Sequence, residues 1–121
     1  MALHNEIGKI GEEIALKFLK NLGYEVLELN WRFRKLEIDI IAKDGDTLVV
    51  IEVKTRKSDT FGAPDVFVDK KKQRFLIKAI NEYVNQKNLE NEIRFDIVSV
   101  LYDNNQEKIE HIKDAFYPIV S

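Results

Sequence analysis

The sequence predicts an α/β domain, with a central mixed β-sheet flanked by helices that pack on its faces. Two segments have apolar residues at helical spacing, and the segments around them are short runs rich in Ile, Val and Leu that favour strands. The predicted order is helix, strand, strand, strand, helix, strand and a short edge strand, over residues 5–22, 24–29, 37–42, 47–54, 70–87, 93–102 and 108–116. The length of 121 residues fits one domain, residues 1–121.

The composition is ordinary for a soluble globular protein, and it excludes several classes of function. Hydrophobic residues make up 45% of the chain and charged residues 33%. The absence of Cys excludes a disulfide framework and thiolate chemistry, and it fits a cytoplasmic location. No apolar run approaches the roughly 18 residues of a membrane helix, so no membrane association is expected. The net charge of −2 counts against a uniformly basic surface for nucleic acid, although the cations are unevenly distributed.

The central hairpin carries charged residues where a buried strand would have none. Asp44-Gly45 between two apolar runs predicts a two-residue turn, so that Lys43 pairs with Asp46. Counting back from this turn places Asp39 opposite Val50 and Glu37 opposite Glu52. Because side chains alternate between faces, one face is predicted to hold Glu37, Asp39, Val50, Glu52 and Lys54, and the other Ile38, Ile40, Ile51 and Val53.

Asp39 and Glu52 are candidate ligands for Mg²⁺ or Mn²⁺. As diagonal neighbours they would have Cα atoms about 7–8 Å apart. Hard cations prefer oxygen ligands and would relieve the repulsion between the two carboxylates, and the Val53 carbonyl is a candidate third ligand. Lys54 could orient a water molecule or stabilise charge on a phosphate. The alternative is a solvated strand end, because a Glu-x-Lys sequence is common by chance.

The first helix contributes one further candidate. Asn5 is its predicted N-cap, and Gly23 is predicted to end it. Glu12 lies at the edge of the apolar stripe, so that its side chain either points toward the sheet or stays at the boundary with solvent.

Two cationic segments are candidate phosphate-binding regions. Residues 30–35 are predicted to form a loop, in which Trp31 and Phe33 either stack on bases or fill a corner of the core. Asp69 is the predicted N-cap of the second helix, whose first turns are cationic and are either solvated or positioned to bind phosphate. The candidate nucleic-acid-binding residues are Arg32, Arg34, Arg56, Lys71, Lys72 and Arg74. His111 is a candidate general base, although a lone His is more often structural.

The motifs together resemble a known family. The segments that carry the resemblance are Gly8-Lys9-Ile10-Gly11-Glu12-Glu13, Asn30-Trp31-Arg32, Glu37-Ile38-Asp39, Val50 to Arg56, the Phe61-Gly62 loop at 58–68, Lys72-Gln73-Arg74 and Arg94-Phe95-Asp96. Over about residues 8–116 the chain resembles the YraN-like family of small bacterial candidate endonucleases, within the PD-(D/E)xK, or restriction-endonuclease-like, superfamily. That family is similar in turn to archaeal Holliday-junction resolvases. Leu36 departs from the pattern, which has Gly at this position.

The resemblance implies a restriction-endonuclease-like fold and a metal-dependent endonuclease that hydrolyses DNA phosphodiester bonds, including those of branched or junction DNA. It implies that the catalytic residues are Glu12, Asp39, Glu52 and Lys54, with Gln73 as a candidate helper. A homodimer would place two sites on one substrate. Two alternatives stay open, which are a non-catalytic nucleic-acid-binding module that keeps the fold and an RNA nuclease.

Overall fold

The chain folds into one five-stranded sheet and two helices over the residues that the structure, a computed structural model, describes. These are residues 2–57, 68–103 and 106–117, with side chains from residue 6 onward. In chain order the elements are α1 (Ala2–Asn21), β1 (Glu25–Phe33), β2 (Leu36–Asp44), β3 (Thr47–Arg56), α2 (Lys70–Lys87), β4 (Ile93–Asp103) and β5 (Gln106–Phe116). The predicted loop at 58–68, with the Phe61-Gly62 motif, lies outside the described residues except for Val68.

The sheet is mixed, and its spatial order is the same as the order along the chain. Strands β1, β2 and β3 form an antiparallel meander, β4 runs parallel to β3, and β5 is antiparallel to β4. Parallel neighbours need a long crossover, and α2 lies between β3 and β4 along the chain. The prediction of an α/β fold with a mixed central sheet is therefore confirmed.

The two helices cover opposite faces of the sheet, each over its own hydrophobic cluster. Leu76, Ala79, Ile80 and Tyr83 of α2 pack with one set of strand residues, and Ala15 and Leu19 of α1 pack with the other. Within the described chain, neither helix is long and apolar enough to cross a membrane.

Two of the three predicted helix ends follow their local sequence signals. Asp69 caps α2 as predicted, because its side chain accepts a 2.8 Å hydrogen bond from the Lys72 N–H. Gly23 follows α1 with φ +94°, and the two hydrogen bonds that end this helix form a Schellman motif. The predicted N-cap at Asn5 is wrong: α1 begins at Ala2, since Ala and Leu before Asn5 are good helix formers and extend it.

The β2–β3 turn lies one residue later than predicted. Asp44 pairs with Thr47, so the two-residue loop consists of Gly45 and Asp46, and Gly45 takes the positive φ of +63°. Val50 pairs with Ile41 and not with Asp39. The ladder ends with Ile40 opposite Ile51, so the predicted pairs of Asp39 with Val50 and of Glu37 with Glu52 are wrong.

The alternation of side chains along β2 breaks at Asp39. Ile38 and Ile41 both pack in the cluster under α2, whereas Ile40 and Ala42 pack in the cluster under α1. The predicted shared face for Ile38, Ile40, Ile51 and Val53 is therefore wrong for Ile38. Strict alternation would place Ile38 and Ile40 on the same face.

Residues 30–33 belong to β1 and not to the predicted loop. Trp31 pairs with Ile38, and Arg32 pairs with Glu37. Asn30 accommodates a local change of direction with φ +50°, a conformation that Asn tolerates better than most residues. Trp31 packs edge-on against Tyr83 with ring centroids 5.2 Å apart, so it fills a corner of the core.

Candidate active site

The Asp39 carboxylate lies where β2 and β3 stop pairing. The ladder between these strands ends with Ile40 opposite Ile51. Beyond it, the Val53 backbone N–H donates a 2.9 Å hydrogen bond to Asp39 Oδ2. Strand β3 continues along β4, where Lys54 pairs with Ser99. The side chain of Asp39 thus satisfies a backbone donor that would otherwise face the gap between the two strands.

Burial and a neighbouring carboxylate disfavour the ionised form of Asp39. Burial, followed by the charge of Glu52, raises the pKa of Asp39 to about 7, although the Val53 N–H lowers it. Burial also raises the pKa of Glu52, against the opposing charges of Lys72 and Lys54. The charge of Lys72 lowers the pKa of Asp39 as well. The pair is therefore two partly buried carboxyl groups in hydrogen-bond contact, with the Lys72 ammonium acting on both and the Lys54 ammonium on Glu52.

One oxygen of Glu52 has no hydrogen-bond partner. The Glu52 side chain is 14% exposed, and its Oε2 lies 3.7 Å from Lys72 Nζ. Its Oε1 is buried and meets no donor among the described residues. Since a buried carboxylate oxygen without a donor is costly, this atom marks a position where a cation would be stabilising.

Glu12 approaches Asp39 from α1, whereas Lys72 approaches the site from α2. Burial and the charge of Asp39 raise the pKa of Glu12, and a hydrogen bond with the Asn30 side chain lowers it. Gly11 allows this approach, because a Cβ there would lie 2.6 Å from Thr55 Cγ2 of β3 and 2.7 Å from Thr55 Cβ. Glu12 therefore points toward the sheet, the inward alternative that the spacing left open.

The donor set suits a hard divalent cation, although it is a pair and not a cluster. In residues 2–57, 68–103 and 106–117, no group of three or more His, Cys, Asp or Glu side chains converges as metal ligands. Asp39 and Glu52 supply carboxylate oxygens, and Mg²⁺ commonly takes only one or two carboxylates from the protein. The buried Oε1 of Glu52, which has no hydrogen-bond donor among the described residues, is the oxygen of this pair that most favours a bound cation.

The six candidate phosphate-binding cations lie in different environments. Arg32 is exposed and lies 3.4 Å from Glu37 Oε2 through its Nε, and Arg34 stands 5.2 Å over the Phe33 ring. Arg56 ends β3 opposite Leu101. On α2, Lys71 and Arg74 are exposed, whereas Lys72 pairs with Glu52, a carboxylate of the site.

Gln73 and His111 both hold structural positions. The Gln73 amide donates a 2.8 Å hydrogen bond to the Val68 carbonyl just before α2. His111 Nε2 lies 2.8 Å from Asp96 Oδ2, and its ring packs edge-on against Phe18 and Tyr24. Asp96 has a fully buried side chain that also accepts hydrogen bonds from Arg94 and from the Asp114 N–H. His111 is thus part of a buried polar network, as the structural alternative expects.

Two participants were not identified as such from sequence. Lys72 reads as one of three consecutive lysines, and only the tertiary structure shows which of them faces Glu52. The sequence predicts Asn30 in a loop, whereas the structure places it in β1 with a positive φ and its side chain in a hydrogen bond with Glu12.

Comparison with known proteins identifies the family of this chain. Residues 11–100 match the model of the uncharacterised protein family UPF0102. A UPF0102 protein of Flavobacterium psychrophilum is 52% identical over 97% of this chain and 98% of its own length. UPF0102 proteins of Thermodesulfovibrio yellowstonii and Bacteroides thetaiotaomicron are 46% and 41% identical, over 93% and 98% of this chain and 96% and 98% of their own lengths. The family part of the sequence resemblance is thereby confirmed, and the chain belongs to the YraN-like UPF0102 family.

Proposed function

We propose that this protein is a metal-dependent endonuclease that hydrolyses phosphodiester bonds in DNA, on a restriction-endonuclease-like fold. The observation that carries the proposal is the partly buried pair of Asp39 and Glu52, with one unpartnered oxygen, beside the ammonium groups of Lys54 and Lys72. A pure binding module has no need to hold two repelling carboxylates together. The order of elements from α1 to β4 also agrees with the order that the resemblance implies.

The carboxylates and the lysine have separate roles in this proposal. Asp39 and Glu52 would hold Mg²⁺ or Mn²⁺, with the Val53 carbonyl as a candidate further ligand. When bound, such a cation polarises a phosphoryl oxygen and lowers the pKa of a water molecule. Lys54 lies on the same strand as Glu52 and lowers its pKa through its charge, so it is close enough to orient water or to stabilise charge on the phosphate. Glu12 would assist Asp39 from α1.

Exposed cations provide a path for the phosphate backbone around this site. Lys71 and Arg74 lie on the solvent side of α2, and Arg32 and Arg34 lie near the turn between β1 and β2. Cations near a helix N-terminus interact unfavourably with the helix dipole. A phosphate bound there would offset this unfavourable interaction. This local concentration matters more for binding than the net charge of −2.

The test is a cleavage panel with the purified protein. Linear duplex, flapped and four-way DNA, together with RNA, are incubated with Mg²⁺, Mn²⁺ or EDTA. We expect metal-dependent nicking of at least one DNA, lost in Asp39→Ala and in Lys54→Ala. Asp46→Ala is the matched control, because it makes the same change in the exposed turn of the same hairpin.

Three results would contradict the proposal. Cleavage by Asp39→Ala and Lys54→Ala at the wild-type rate would show that the activity arises elsewhere. DNA binding by a folded wild type that takes up no Mn²⁺ in calorimetry would favour the non-catalytic module. Cleavage of RNA alone would assign the same site to the RNA nuclease alternative.

A further inference from the structure

We propose that Lys72 is a second lysine of the active site, whose ammonium pairs with Glu52 in the free protein and contacts a non-bridging oxygen of the scissile phosphate in the complex. The inference rests on the proposed nuclease function. It separates Lys72 from its neighbours Lys70 and Lys71, which the sequence cannot distinguish from it. It also makes α2 a contributor to the chemistry and not only to substrate binding.

The first turn of α2 fixes the direction of Lys72. Its backbone N–H donates to the Asp69 cap at 2.8 Å, and the Gln73 side chain ties the same turn to the Val68 carbonyl at 2.8 Å. From this position the Lys72 side chain reaches Glu52 on β3, with Nζ 3.7 Å from Oε2. Lys71, one residue earlier, instead places its Nζ 5.8 Å from the centre of the exposed Phe75 ring.

The Lys72 ammonium keeps hydrogen-bonding capacity for a second anion. A distance of 3.7 Å is an ion pair and is longer than the 2.7–3.2 Å of an N–H···O hydrogen bond. An ammonium has three donors on a flexible four-carbon stem. The side chain is 41% exposed, so it is open to solvent on one side while it faces Glu52 on the other. Lys72 is therefore accessible to a substrate without leaving the site.

The charge balance of the site explains why Lys72 would exchange Glu52 for the phosphate of the substrate. In the free protein Lys72 partly compensates the charge of Glu52. With a divalent cation on Asp39 and Glu52 that compensation is no longer needed, and the ammonium is repelled by the added positive charge. A phosphodiester carries one negative charge and gains another in the transition state, which a nearby ammonium stabilises. The N-terminal end of α2 favours the same anion.

The first test measures Mn²⁺ binding by calorimetry in the absence of DNA, at about pH 8, above the pKa of Asp39. Lys72→Met should bind Mn²⁺ about fivefold more tightly than wild type, because a cation that opposes the metal is removed. Lys71→Met is the matched control, with the same change one residue away, and its affinity should stay within about twofold of wild type.

The second test measures single-turnover cleavage at saturating Mn²⁺ and DNA, with the Kd for DNA determined separately. Lys72→Met should lower the rate about 10–100-fold while its Kd for DNA stays within about threefold of wild type. Lys71→Met, at a residue on the proposed path of the phosphate backbone, should instead weaken the Kd for DNA about 2–5-fold. Lys72→Arg, which keeps the charge, should recover part of the rate.

The outcomes separate the two proposals. If wild type and Lys71→Met cleave, and Lys72→Met matches wild type in either Mn²⁺ affinity or saturated rate, the role of Lys72 is overturned and the nuclease assignment stands. If wild type neither binds Mn²⁺ nor cleaves any substrate of the panel, the proposed function fails, and the role of Lys72 fails with it.

Discussion

The Val53 backbone N–H donates a 2.9 Å hydrogen bond to Asp39 Oδ2 at the point where β2 and β3 stop pairing. The Asp39 carboxylate thus accepts a hydrogen bond from a backbone N–H just beyond the end of the β2–β3 ladder, and it lies beside Glu52. The arrangement is held by the fold at an energetic cost, because burial and the charge of Glu52 raise the pKa of Asp39 to about 7. This cost can be measured without a substrate, as a pH-dependent change in the free energy of unfolding.

The metal-free protein should lose stability as the pH rises from about 4 to about 7. Folded Asp39 keeps its proton up to about pH 7, whereas the unfolded carboxyl releases it near the ordinary Asp pKa of 3.8. The folded state therefore binds more protons in this window, and the free energy of unfolding falls as the pH rises through it. Asp39→Asn cannot ionise but can still accept the Val53 N–H. It should be more stable than wild type at pH 8 by about 1–3 kcal/mol and similar at pH 4.

Urea unfolding in EDTA at a series of pH values measures this difference. Asp46→Asn is the control, with the same change in the exposed β2–β3 turn. If wild type and Asp39→Asn show parallel pH profiles, the Asp39 carboxyl is not held in an unfavourable charged state.

Mn²⁺ should stabilise the wild-type protein through Asp39 and Glu52. At about 100 times the Kd, a ligand that binds only the folded state adds about 2.7 kcal/mol. Glu52→Gln should lose this gain, because an amide is a weak ligand for a hard cation. Scanning calorimetry with MnCl₂ or EDTA at about pH 8, where Asp39 is ionised, measures both Tm values. Glu110→Gln on the exposed side of β5 is the control, and an equal Mn²⁺ effect in Glu52→Gln would rule out Glu52 as a ligand.

Local signals were enough to predict the elements and part of the site. The periodicity of residues 70–87 and the Asp69 cap predict α2 at its observed bounds. The predicted turn was wrong by one position, which shifts each cross-strand partner by two residues and keeps its face. The predicted proximity of Asp39 and Glu52 is nevertheless observed, because both residues lie just beyond the last pair of the ladder.

Long-range packing decided what the sequence could not reveal. The alternation of side chains breaks at Asp39, because Ile38 and Ile40 pack under different helices. The sequence of β2 has no pattern that predicts this break. Asn30 and its cationic neighbours have the composition of a loop, yet pairing with β2 keeps Trp31 and Arg32 in a strand. The direction of Lys72 is likewise a product of how α2 docks on β3.

His111 should contribute to stability and not to cleavage. It shares a buried network with Asp96, whose pKa is lowered because the hydrogen bonds from His111, Arg94 and the Asp114 N–H outweigh the opposing effect of burial. His111→Gln should lower the free energy of unfolding by about 1–3 kcal/mol. Asp96→Ala should cost more than His111→Gln, because it also removes one of the two carboxylate partners of Arg94, which keeps Asp44 at 2.9 Å.

Chemical unfolding and cleavage assays on the same preparations separate the two roles of His111. At a temperature where His111→Gln is folded, its cleavage rate should equal that of wild type. A rate loss in a folded His111→Gln protein would restore the general-base alternative.

Gly11 should be essential for the docking of α1, and Gly8 should not. A Cβ at Gly11 would lie 2.6 Å from Thr55 Cγ2, so Gly11→Ala must push α1 away from β3 and should cost about 1–3 kcal/mol. A Cβ at Gly8 would meet nothing within 4 Å among the described residues, so Gly8→Ala should stabilise the helix by about 0.5–1 kcal/mol. Thermal unfolding of the two variants measures the contrast. Since Glu12 follows Gly11, the displacement of α1 should also separate Glu12 from Asp39, and equal stability of the two variants would contradict the close approach of α1 to β3.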